Sequence, residues 1–474
     1  MTRSSMLHGV RPRAGRRAAL AVATGLVVAL VLSLGPLSPG RAGAASAGGA
    51  WKSTSVARST LFSTNFWSYD VNAKGAGAAA WVDGDGDRRR VRVARRTAGG
   101  KWGRPHTLTG SFSWKGLRNY AGTNDIAIDD RGRVTVVWTQ SKGKSVVVRT
   151  VSSKGKRGWS KPRTLSAKGE RTGFPQVAVS GNGYAVVHWA GRFDTSVTDF
   201  TLHASYRAPG GTWEAAQRLD VDPAWRPDAR ASEPAIDDRG VATIAWDEIG
   251  AGAGPATSRV RLASRGPATG WTQQTMAEGP LDQPSVATTR DGRLVAAWRD
   301  ATTIFARHRT PAGGWGPTEQ VVTGGVQTPQ NATDVGIAET GRAVIYGQEV
   351  DVRAGTVLPY VAIQESPGTP WIRENATSPF PAYGYSLFLP QLEVGAGGDV
   401  TLTWEQQYRS EKRWPLALAR HRAASGAWGE ARRLAGRASN PMVGSDARGR
   451  TSLVYGAGDR VACCISIRAA KIRR

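Results

Sequence analysis

The sequence predicts an all-β protein made of a repeated unit that closes into a ring, and three observations lead to this prediction. A glycine followed about six residues later by an aromatic residue recurs along the chain. A strand that ends in arginine, followed by a turn and Gly-Trp or Gly-x-Trp, recurs after it. The segment at residues 49–59 also supplies a strand that the last unit lacks. Self-similarity at a regular period is typical of solenoids and propellers.

Residues 1–47 are predicted to be a secretory signal peptide that is not part of the fold. Basic residues that include Arg16 and Arg17 precede an apolar run from Ala18 to Leu34, and the small residues up to Ala47 suit a signal peptidase. We favour the general export route over a twin-arginine route for the Arg16-Arg17 pair. The expected location is therefore extracellular, without a membrane anchor.

The first signature predicts two strands joined by a tight turn. Its fullest copy, IAIDDRGRVTVVW at 126–138, places apolar strands on both sides of Asp129-Asp130-Arg131-Gly132. Glycine suits this turn because such turns commonly need a residue at positive φ. The eight copies are Gly75/Trp81, Gly132/Trp138, Gly183/Trp189, Gly240/Trp246, Gly292/Trp298, Gly341/Tyr346, Gly398/Trp404 and Gly449/Tyr455.

The second signature predicts the two outer strands of each unit. Its arginines are Arg96, Arg149, Arg207, Arg265, Arg309 and Arg422, and its tryptophans are Trp102, Trp159, Trp213, Trp271, Trp315 and Trp428. Strands such as VTVVW are apolar on both faces, which suits a sheet buried between neighbouring sheets. Each unit is therefore expected to be a four-stranded sheet. We interpret the recurring Arg and Trp as architecture, with guanidinium groups packed over aromatic rings.

The two ends of the chain predict how the repeat closes. The last unit has the first signature and a third strand with Arg468, but it lacks the Gly-x-Trp strand. The segment GAWKSTSVARS at 49–59 supplies that strand and matches GAWGEARRLAG at 426–436. An open solenoid needs caps, whereas a β-propeller closes in this way. Residues 48–474 are thus predicted to form one β-propeller domain of eight four-stranded blades, with seven as the alternative, closed by the N-terminal strand completing the C-terminal blade.

Charge favours an anionic partner without identifying one. The formal charge of +26 falls to +20 after cleavage at Ala47, because six arginines and no acidic residue are removed. A field of this sign attracts wall polymers and acidic glycans, although the charges are dispersed along the whole chain. We expect a glycan or anionic polymer as partner, no nucleic acid, and a monomer.

Three short segments resemble a known family. TAGGKWGRP at 97–105, TPAGGWGPT at 310–318 and SSKGKRGWSKP at 152–162 resemble the Asp-box turns of the sialidase-like (BNR) propellers, in particular secreted actinobacterial ones. The resemblance covers most of the mature chain and implies the same fold. Sialidases use three clustered arginines, an Arg-Ile-Pro motif and a Tyr/Glu pair, and no Arg-Ile-Pro occurs in this sequence. The resemblance therefore implies kinship of fold.

Candidate catalytic residues are few. The sequence has no Gly-x-Ser-x-Gly, His-Glu-x-x-His, phosphate-loop or dinucleotide motif. Asp125, Glu233 and Asp334 each stand seven residues before the turn glycine of their unit and are expected near the mouth of the central channel. Paired carboxyl groups with raised pKa values there would support glycan hydrolysis. Their repeated placement is equally consistent with a structural role.

A metal site and a disulfide are each weighed against a simpler explanation. Asp83, Asp85 and Asp87 alternate with glycine and could converge on calcium, but an Asp-Gly hairpin tip explains the same residues. No other cofactor is expected. The adjacent Cys463 and Cys464 are interpreted as two thiols, because a disulfide between neighbours requires a distorted peptide.

Links between units are the expected ligand-binding surface. Aromatic and arginine side chains cluster there and suit sugar rings or peptides; the candidates are Trp114, Arg118, Tyr120, Trp225, Arg226, Tyr383 and Tyr385. The alternative is that these aromatics fill the centre of the ring. A non-enzymatic binding propeller is thus the preferred hypothesis, and a glycan-acting hydrolase or lyase is the second.

Overall fold

Eight antiparallel sheets form the blades of a β-propeller in a computed structural model of the chain. It describes residues 53–471, apart from 60–66, 86–87, 114–123, 154, 156–157, 192–199, 251–256, 324–333, 352–354, 379, 382–386, 407–415, 436–437 and 459–464. Over these ranges there is no helix, and hence none long and apolar enough to cross a membrane. The predicted signal peptide, Trp51 and both cysteines lie outside the described residues.

The first half of the chain supplies one closing strand and four blades. The strands are β1 (Ser53–Ser59); in blade 1, β2 (Trp67–Val71), β3 (Gly77–Asp85), β4 (Arg88–Arg96), β5 (His106–Thr107) and β6 (Phe112–Ser113); in blade 2, β7 (Asn124–Ile128), β8 (Val134–Lys142), β9 (Ser145–Ser152) and β10 (Arg163–Thr164); in blade 3, β11 (Gly173–Val179), β12 (Ala185–Gly191), β13 (Thr201–Arg207) and β14 (Gln217–Arg218); and in blade 4, β15 (Trp225–Ala231), β16 (Ala235–Ile236), β17 (Ala242–Gly250), β18 (Ser258–Arg265) and β19 (Thr272–Gly279).

The second half supplies the other four blades. The strands are, in blade 5, β20 (Asp282–Thr288), β21 (Leu294–Arg299), β22 (Thr303–Arg309) and β23 (Glu319–Thr323); in blade 6, β24 (Asp334–Ile337), β25 (Ala343–Asp351), β26 (Thr356–Gln364), β27 (Ile372–Asn375) and β28 (Phe380–Pro381); in blade 7, β29 (Leu387–Val394), β30 (Val400–Gln406), β31 (Leu416–Arg422) and β32 (Arg432–Arg433); and in blade 8, β33 (Ala438–Ser445), β34 (Thr451–Gly458) and β35 (Ile465–Lys471). Short β6, β16 and β28 pair beside the four-stranded path of their blades.

The ring closes as the sequence predicts. β1 pairs antiparallel with β35, with Ser53 opposite Ala470 and Ser55 opposite Arg468, so it is the outer strand of blade 8. The innermost strands contact one another in succession around the ring, and β33 of blade 8 contacts β2 of blade 1. The prediction of eight blades closed by the N-terminal strand is therefore confirmed, and the seven-bladed alternative is wrong.

The aromatic residues of the first signature form the walls between blades. All eight are at most 3 % exposed: Trp81, Trp138, Trp189, Trp246, Trp298, Tyr346, Trp404 and Tyr455. Each belongs to a cluster that spans two blades. Trp189 of blade 3, for example, packs with Val137 and Val148 of blade 2, and Trp81 packs with Val454 of blade 8 across the closure. This burial explains why the strands are apolar on both faces.

The turns of the first signature have the geometry that their glycines require. Asp129 Oδ1 accepts the N–H groups of Arg131 (2.9 Å) and Arg133 (2.8 Å), and Oδ2 accepts Arg133 Nε–H at 2.7 Å. Gly132 has φ +74°. The next blade adds a steric reason, because a Cβ on Gly183 would lie 2.5 Å from Arg133 Nη2. We call the side of the ring that carries these turns the turn face, and the opposite side, with the inter-blade links, the link face.

The arginines of the second signature connect adjacent blades, with one correction to the predicted register. Arg207, Arg265, Arg309 and Arg422 each end the third strand of a blade and hydrogen-bond to the preceding blade. Arg149 lies within β9, opposite Trp138, because Ser153 stands at the strand-end position in blade 2. Arg468 is likewise opposite Tyr455. Sequence spacing alone did not reveal these offsets, since the hairpins of blades 2 and 8 differ in length.

Candidate functional site

The inner strands direct carboxyl groups toward the axis of the ring. Asp125 and Asp334 lie on the innermost strands of blades 2 and 6, and Glu233 lies just before β16 in blade 4. Two acidic residues that the sequence analysis missed, Asp70 on blade 1 and Glu393 on blade 7, join them. Glu233 interacts electrostatically with Asp70, Asp125 and Asp334, which are on three other blades. Such interactions act between groups that lie near one another, so the three predicted carboxylates belong to one electrostatic cluster that also includes Asp70.

Four of these five carboxylates tie neighbouring blades together. Asp125 shows the pattern: Oδ1 accepts the N–H of Ile126 at 2.8 Å, and Oδ2 accepts the N–H of Val177 in blade 3 at 2.8 Å. The other three accept a backbone N–H from the next blade in the same way: Asp70 from Ile128 (2.8 Å), Asp334 from Leu392 (3.2 Å) and Glu393 from Ser445 (2.9 Å). These carboxylates stabilise the contacts between inner strands.

Burial raises the pKa of every axial carboxyl group. The pKa of Asp70 rises to about 6, that of Asp334 to about 7, and those of Asp125 and Glu393 to about 8. Desolvation is the largest cause in each case, and the charge of Glu233 raises the pKa values of Asp125 and Asp334 further. Several of these groups therefore keep a proton near neutral pH, which limits the negative charge along the axis.

Glu233 differs from the other four. Pro234 follows it, so the next residue has no N–H to donate, and Glu233 makes no hydrogen bond within the described part of the chain. Glu233 is exposed, whereas the other four residues are half-buried. Burial and the charge of Asp70 raise its pKa. Glu233 is thus the axial carboxyl group best placed to act on a bound molecule.

An ion-pair network spans the channel mouth on the turn face. Arg290 of blade 5 contacts Asp130 of blade 2 through Nη2 at 2.5 Å and Asp238 of blade 4 through Nε at 2.6 Å. The backbone N–H of Arg290 donates to Glu339 of blade 6 at 3.0 Å. A cavity of about 220 Å³ lies beside this arginine, with Asp70 in its lining. Arg290 therefore narrows the entrance from the turn face.

Two larger cavities open between blades on the turn face. One, of about 700 Å³, lies between blades 7 and 8 and is lined by Trp428, Arg420 and Arg448. The other, of about 520 Å³, lies between blades 2 and 3 and is lined by Trp213, Arg207 and several hydroxyl groups. We call them the 7/8 cleft and the 2/3 cleft. Both have volumes within the range of small-ligand sites.

Among the predicted binding residues, Trp225 and Arg226 fall within the described ranges. They belong to β15, which pairs with the end of β17, so this link forms the innermost strand in the four-stranded path of blade 4. Trp225 is half-buried, and the guanidinium of Arg259 lies 4.2 Å from its ring centroid. Arg259 is held by Glu248 Oε2 at 2.7 Å. The other predicted binding residues lie outside the described residues, namely Trp114, Arg118, Tyr120, Tyr383 and Tyr385, and their role stays a prediction.

One of the three predicted calcium ligands, Asp83, already has a charged partner. Asp83 is buried and pairs with Arg92 at 3.1 Å, so its negative charge is already compensated. The side chains of Asp85 and Asp87 lie outside the described residues. In the part of the chain that the structure describes, no three His, Cys, Asp or Glu side chains are grouped so that they could hold a metal ion. Calcium binding at this turn stays a prediction.

The sequence carried a signal for the axial residues that were missed. Side chains alternate along a strand, so the residue two positions after each predicted carboxylate site faces the same way. Asp70 and Glu393 occupy that second position, and Ala127 occupies it in blade 2. Arg290 has no such signal, because its two partners come from turns that are 160 and 52 residues away.

The fold and these sites define an eight-bladed β-propeller with carboxyl groups along its axis and open clefts between blades. No protein-family model matches the chain, and no curated protein matches it. Solved structures with a similar fold include a lectin, BP39L, from Burkholderia pseudomallei (13 % identity, 79 % of this chain and 100 % of that chain, TM-score 0.49). They also include the polysaccharide lyase Uly1 (12 %, 76 % and 88 %, 0.45) and the six-bladed Aleuria aurantia lectin (12 %, 68 % and 98 %, 0.37). At this distance no residue role is carried over.

Proposed function

We propose that the protein is a non-enzymatic binding propeller whose ligand is a glycan or another cell-wall polymer. The observation that carries the proposal is the hydrogen bonding of the axial carboxylates to the backbone. Asp125 and Asp334 each use both oxygens to accept backbone N–H groups, one of them from the next blade. Glycoside hydrolysis generally needs two carboxyl groups that can both reach the glycosidic bond. Two of the three predicted catalytic residues are thus committed to holding the ring together.

The clefts support binding. In the 7/8 cleft, Trp428 is half-buried and its Nε1–H donates to Glu374 Oε2 at 2.7 Å, so the ring is held in place. Arg420 lies 5.2 Å from the same ring, and its Nε–H donates to the Gly429 carbonyl at 2.8 Å. A fixed aromatic residue next to arginines and small alanine side chains suits a sugar, which offers apolar ring faces and hydroxyl groups.

Glycan cleavage is the second candidate function, and Glu233 favours it. A carboxyl group with a raised pKa, open to water and without a hydrogen-bond partner among the described residues is suited to general acid catalysis. Asp70, whose pKa rises to about 6, interacts with Glu233 electrostatically and would be the second group of a hydrolase or lyase. Asp70 is also bonded to Ile128 of blade 2, which opposes this role.

Export belongs to the same proposal. The basic segment, the apolar run and the small residues before Gly48 are the pattern of a cleaved signal peptide, so we place the mature protein outside the cell. Kinship with sialidase-like actinobacterial propellers is proposed from the Gly-Trp turns alone. A monomeric state is proposed with it.

A glycan array with the mature protein, followed by product analysis on every glycan that is retained, tests the proposal. We expect retention of a glycan class without release of products, and unchanged retention by Glu233→Gln. Product formation by the wild type that is abolished in Glu233→Gln would contradict the binding function and establish the hydrolase or lyase. Absence of retention for every glycan and wall polymer would contradict both.

A further inference from the structure

Corresponding arginines in two adjacent clefts of the ring differ in whether a carboxylate pairs with them. In each cleft, the arginine that ends the third strand of a blade crosses to the preceding blade. Arg265 of blade 4 reaches Glu214 of blade 3, with Nη2 2.6 Å from Oε1 and Nη1 2.6 Å from Oε2. Arg207 of blade 3 reaches blade 2, and its hydrogen-bond partners among the described residues there are hydroxyl groups, Ser152 Oγ at 2.6 Å and Thr135 Oγ1 at 3.1 Å.

The missing carboxylate can be traced to one position. Glu214 directly follows Trp213, and its N–H donates to the carbonyl of Tyr206 at 2.9 Å. The residue that directly follows Trp159 in blade 2 is Ser160, and its N–H donates in the same way to the carbonyl of Ser152 at 2.8 Å. Ser160 therefore stands where blade 3 has Glu214, which leaves Arg207 without the partner that Arg265 has.

The surroundings add positive charge to the 2/3 cleft. Lys161 and Arg163 are exposed, line the cavity and have no ion-pair partner among the described residues. Arg133 also lines it, and its Nε pairs at 2.7 Å with Asp129, which is the one acidic residue among the described residues of the lining. Among its described residues, the cavity thus contains four cationic side chains and one carboxylate.

Arg207 itself is held in place and under-compensated. Its guanidinium lies 4.6 Å from the ring centroid of Trp213, and the two hydroxyl contacts use two of its N–H donors, which leaves others free to bind an oxyanion. Burial and the charge of Arg133 lower the pKa of Arg207 to about 10, and the charge of Asp129 offsets this decrease in part. Its charge is therefore held at a cost in free energy that an incoming anion would recover.

We propose that the 2/3 cleft binds the anionic group of an acidic sugar unit, with Arg207 as the central ligand and Lys161 and Arg163 at the rim. The volume of about 520 Å³ suits one or two sugar units. Guanidinium groups match the paired oxygens of carboxylate and sulfate, and the hydroxyl groups of Ser152, Ser160 and Thr212 in the lining suit sugar hydroxyls. This inference rests on the proposed binding function and adds its site and ligand class.

The test is titration calorimetry of the mature protein with three oligosaccharides at low and at physiological salt. The probes are a galacturonate trisaccharide, the corresponding neutral galactose trisaccharide and a sulfated galactose trisaccharide. We expect binding of one or both charged probes, and affinity for the neutral probe at least tenfold weaker. The uronate and sulfate arms distinguish which oxyanion the cleft prefers.

Two reciprocal variants test the site. Ser160→Glu gives Arg207 a carboxylate partner like the one that Arg265 has. Affinity for the charged probe should therefore fall at least tenfold, while the melting temperature should stay the same or rise. Glu214→Ser frees Arg265 and should create a second site, raising the stoichiometry. Unchanged binding by folded Ser160→Glu would overturn the inference, as would equal binding of the neutral probe or no binding of either charged probe. Retention of neutral glycans on the array with no anion binding would overturn this inference and leave the proposed function intact.

Discussion

The ionisable side chains on the axis and in the 2/3 cleft have different hydrogen-bond partners. Along the axis, carboxylates such as Asp125 have both oxygens occupied by backbone N–H groups. In the cleft, Arg207 hydrogen-bonds to hydroxyl groups and to no carboxylate among the described residues. The axial carboxyl groups therefore hold the blades together through hydrogen bonds, whereas the guanidinium charge of Arg207 is available for a ligand. A perturbed pKa occurs in both places, so the pKa alone does not separate a structural group from a binding group.

The largest expected change in the free energy of unfolding comes from substitutions in the walls between blades, because the axis and the 2/3 cleft both depend on these walls. Trp189→Ala removes a fully buried ring between blades 2 and 3 and should lower the free energy of unfolding by about 3–5 kcal/mol. Trp159→Ala, which removes a half-buried outer tryptophan, should cost about 1–2 kcal/mol. Denaturant unfolding of both variants measures the difference. Equal costs would contradict the assignment of the first-signature aromatics to the blade walls.

The axis should give the protein an unusual dependence on pH. An unfolded Asp loses its proton near pH 4, whereas Asp125 in the folded protein keeps it up to about pH 8. Between these values the unfolded state binds fewer protons, so the free energy of unfolding should fall as pH rises, by up to about 1.4 kcal/mol per pH unit for each such group. Thermal melts from pH 5 to pH 8 check this.

Asp125→Asn is the matched control for the pH effect. It removes one titrating group, so the loss of stability with rising pH should become shallower. Stability at pH 5 should fall by about 1 kcal/mol, because the amide nitrogen of Asn cannot accept one of the two backbone N–H groups that bond to Asp125. A wild-type melting temperature that rises from pH 5 to pH 8 would contradict the raised pKa values of the axial carboxyl groups.

Substitutions at the rim of the 2/3 cleft should have the smallest effect on stability, and they should weaken binding of anionic ligands selectively. Lys161→Ala and Arg163→Ala remove exposed charges, so each should change the free energy of unfolding by less than about 0.5 kcal/mol. Each should weaken binding of an anionic oligosaccharide several-fold and reduce its salt dependence. The same loss of affinity for a neutral oligosaccharide would show that these side chains act through shape and not through charge.

Much of the fold followed from local rules, while the site depends on distant contacts. Gly132, Trp138 and their equivalents predicted strands and turns because each acts within its own blade, and the match of 49–59 to 426–436 predicted the closure. Asp125, Glu233 and Asp334 were located at the axis by their position before the turn glycine. The hydrogen bond of Asp125 to Val177 was not predictable, since it depends on how one blade stands against the next.

The 2/3 cleft shows the same limit. Lys161 and Arg163 belong to a segment that was recognised as a Gly-Trp turn, but their proximity to Arg207 of the following blade is a tertiary contact. The register of Arg149 was wrong for a related reason, because the lengths of hairpins differ among blades while the signature spacing does not show it. Sequence repeats thus identified what is common to the blades, and the differences between blades needed the structure.

A crystal structure of the mature protein grown with selenate is the most direct test of the central claim, that the charge of Arg207 is open to a ligand while its counterpart is not. Anomalous scattering from selenium would locate the anion without ambiguity. We expect a selenate on Arg207 between blades 2 and 3, and none on Arg265, where Glu214 occupies the guanidinium. An empty 2/3 cleft at saturating selenate, or equal occupancy at Arg207 and Arg265, would contradict the claim.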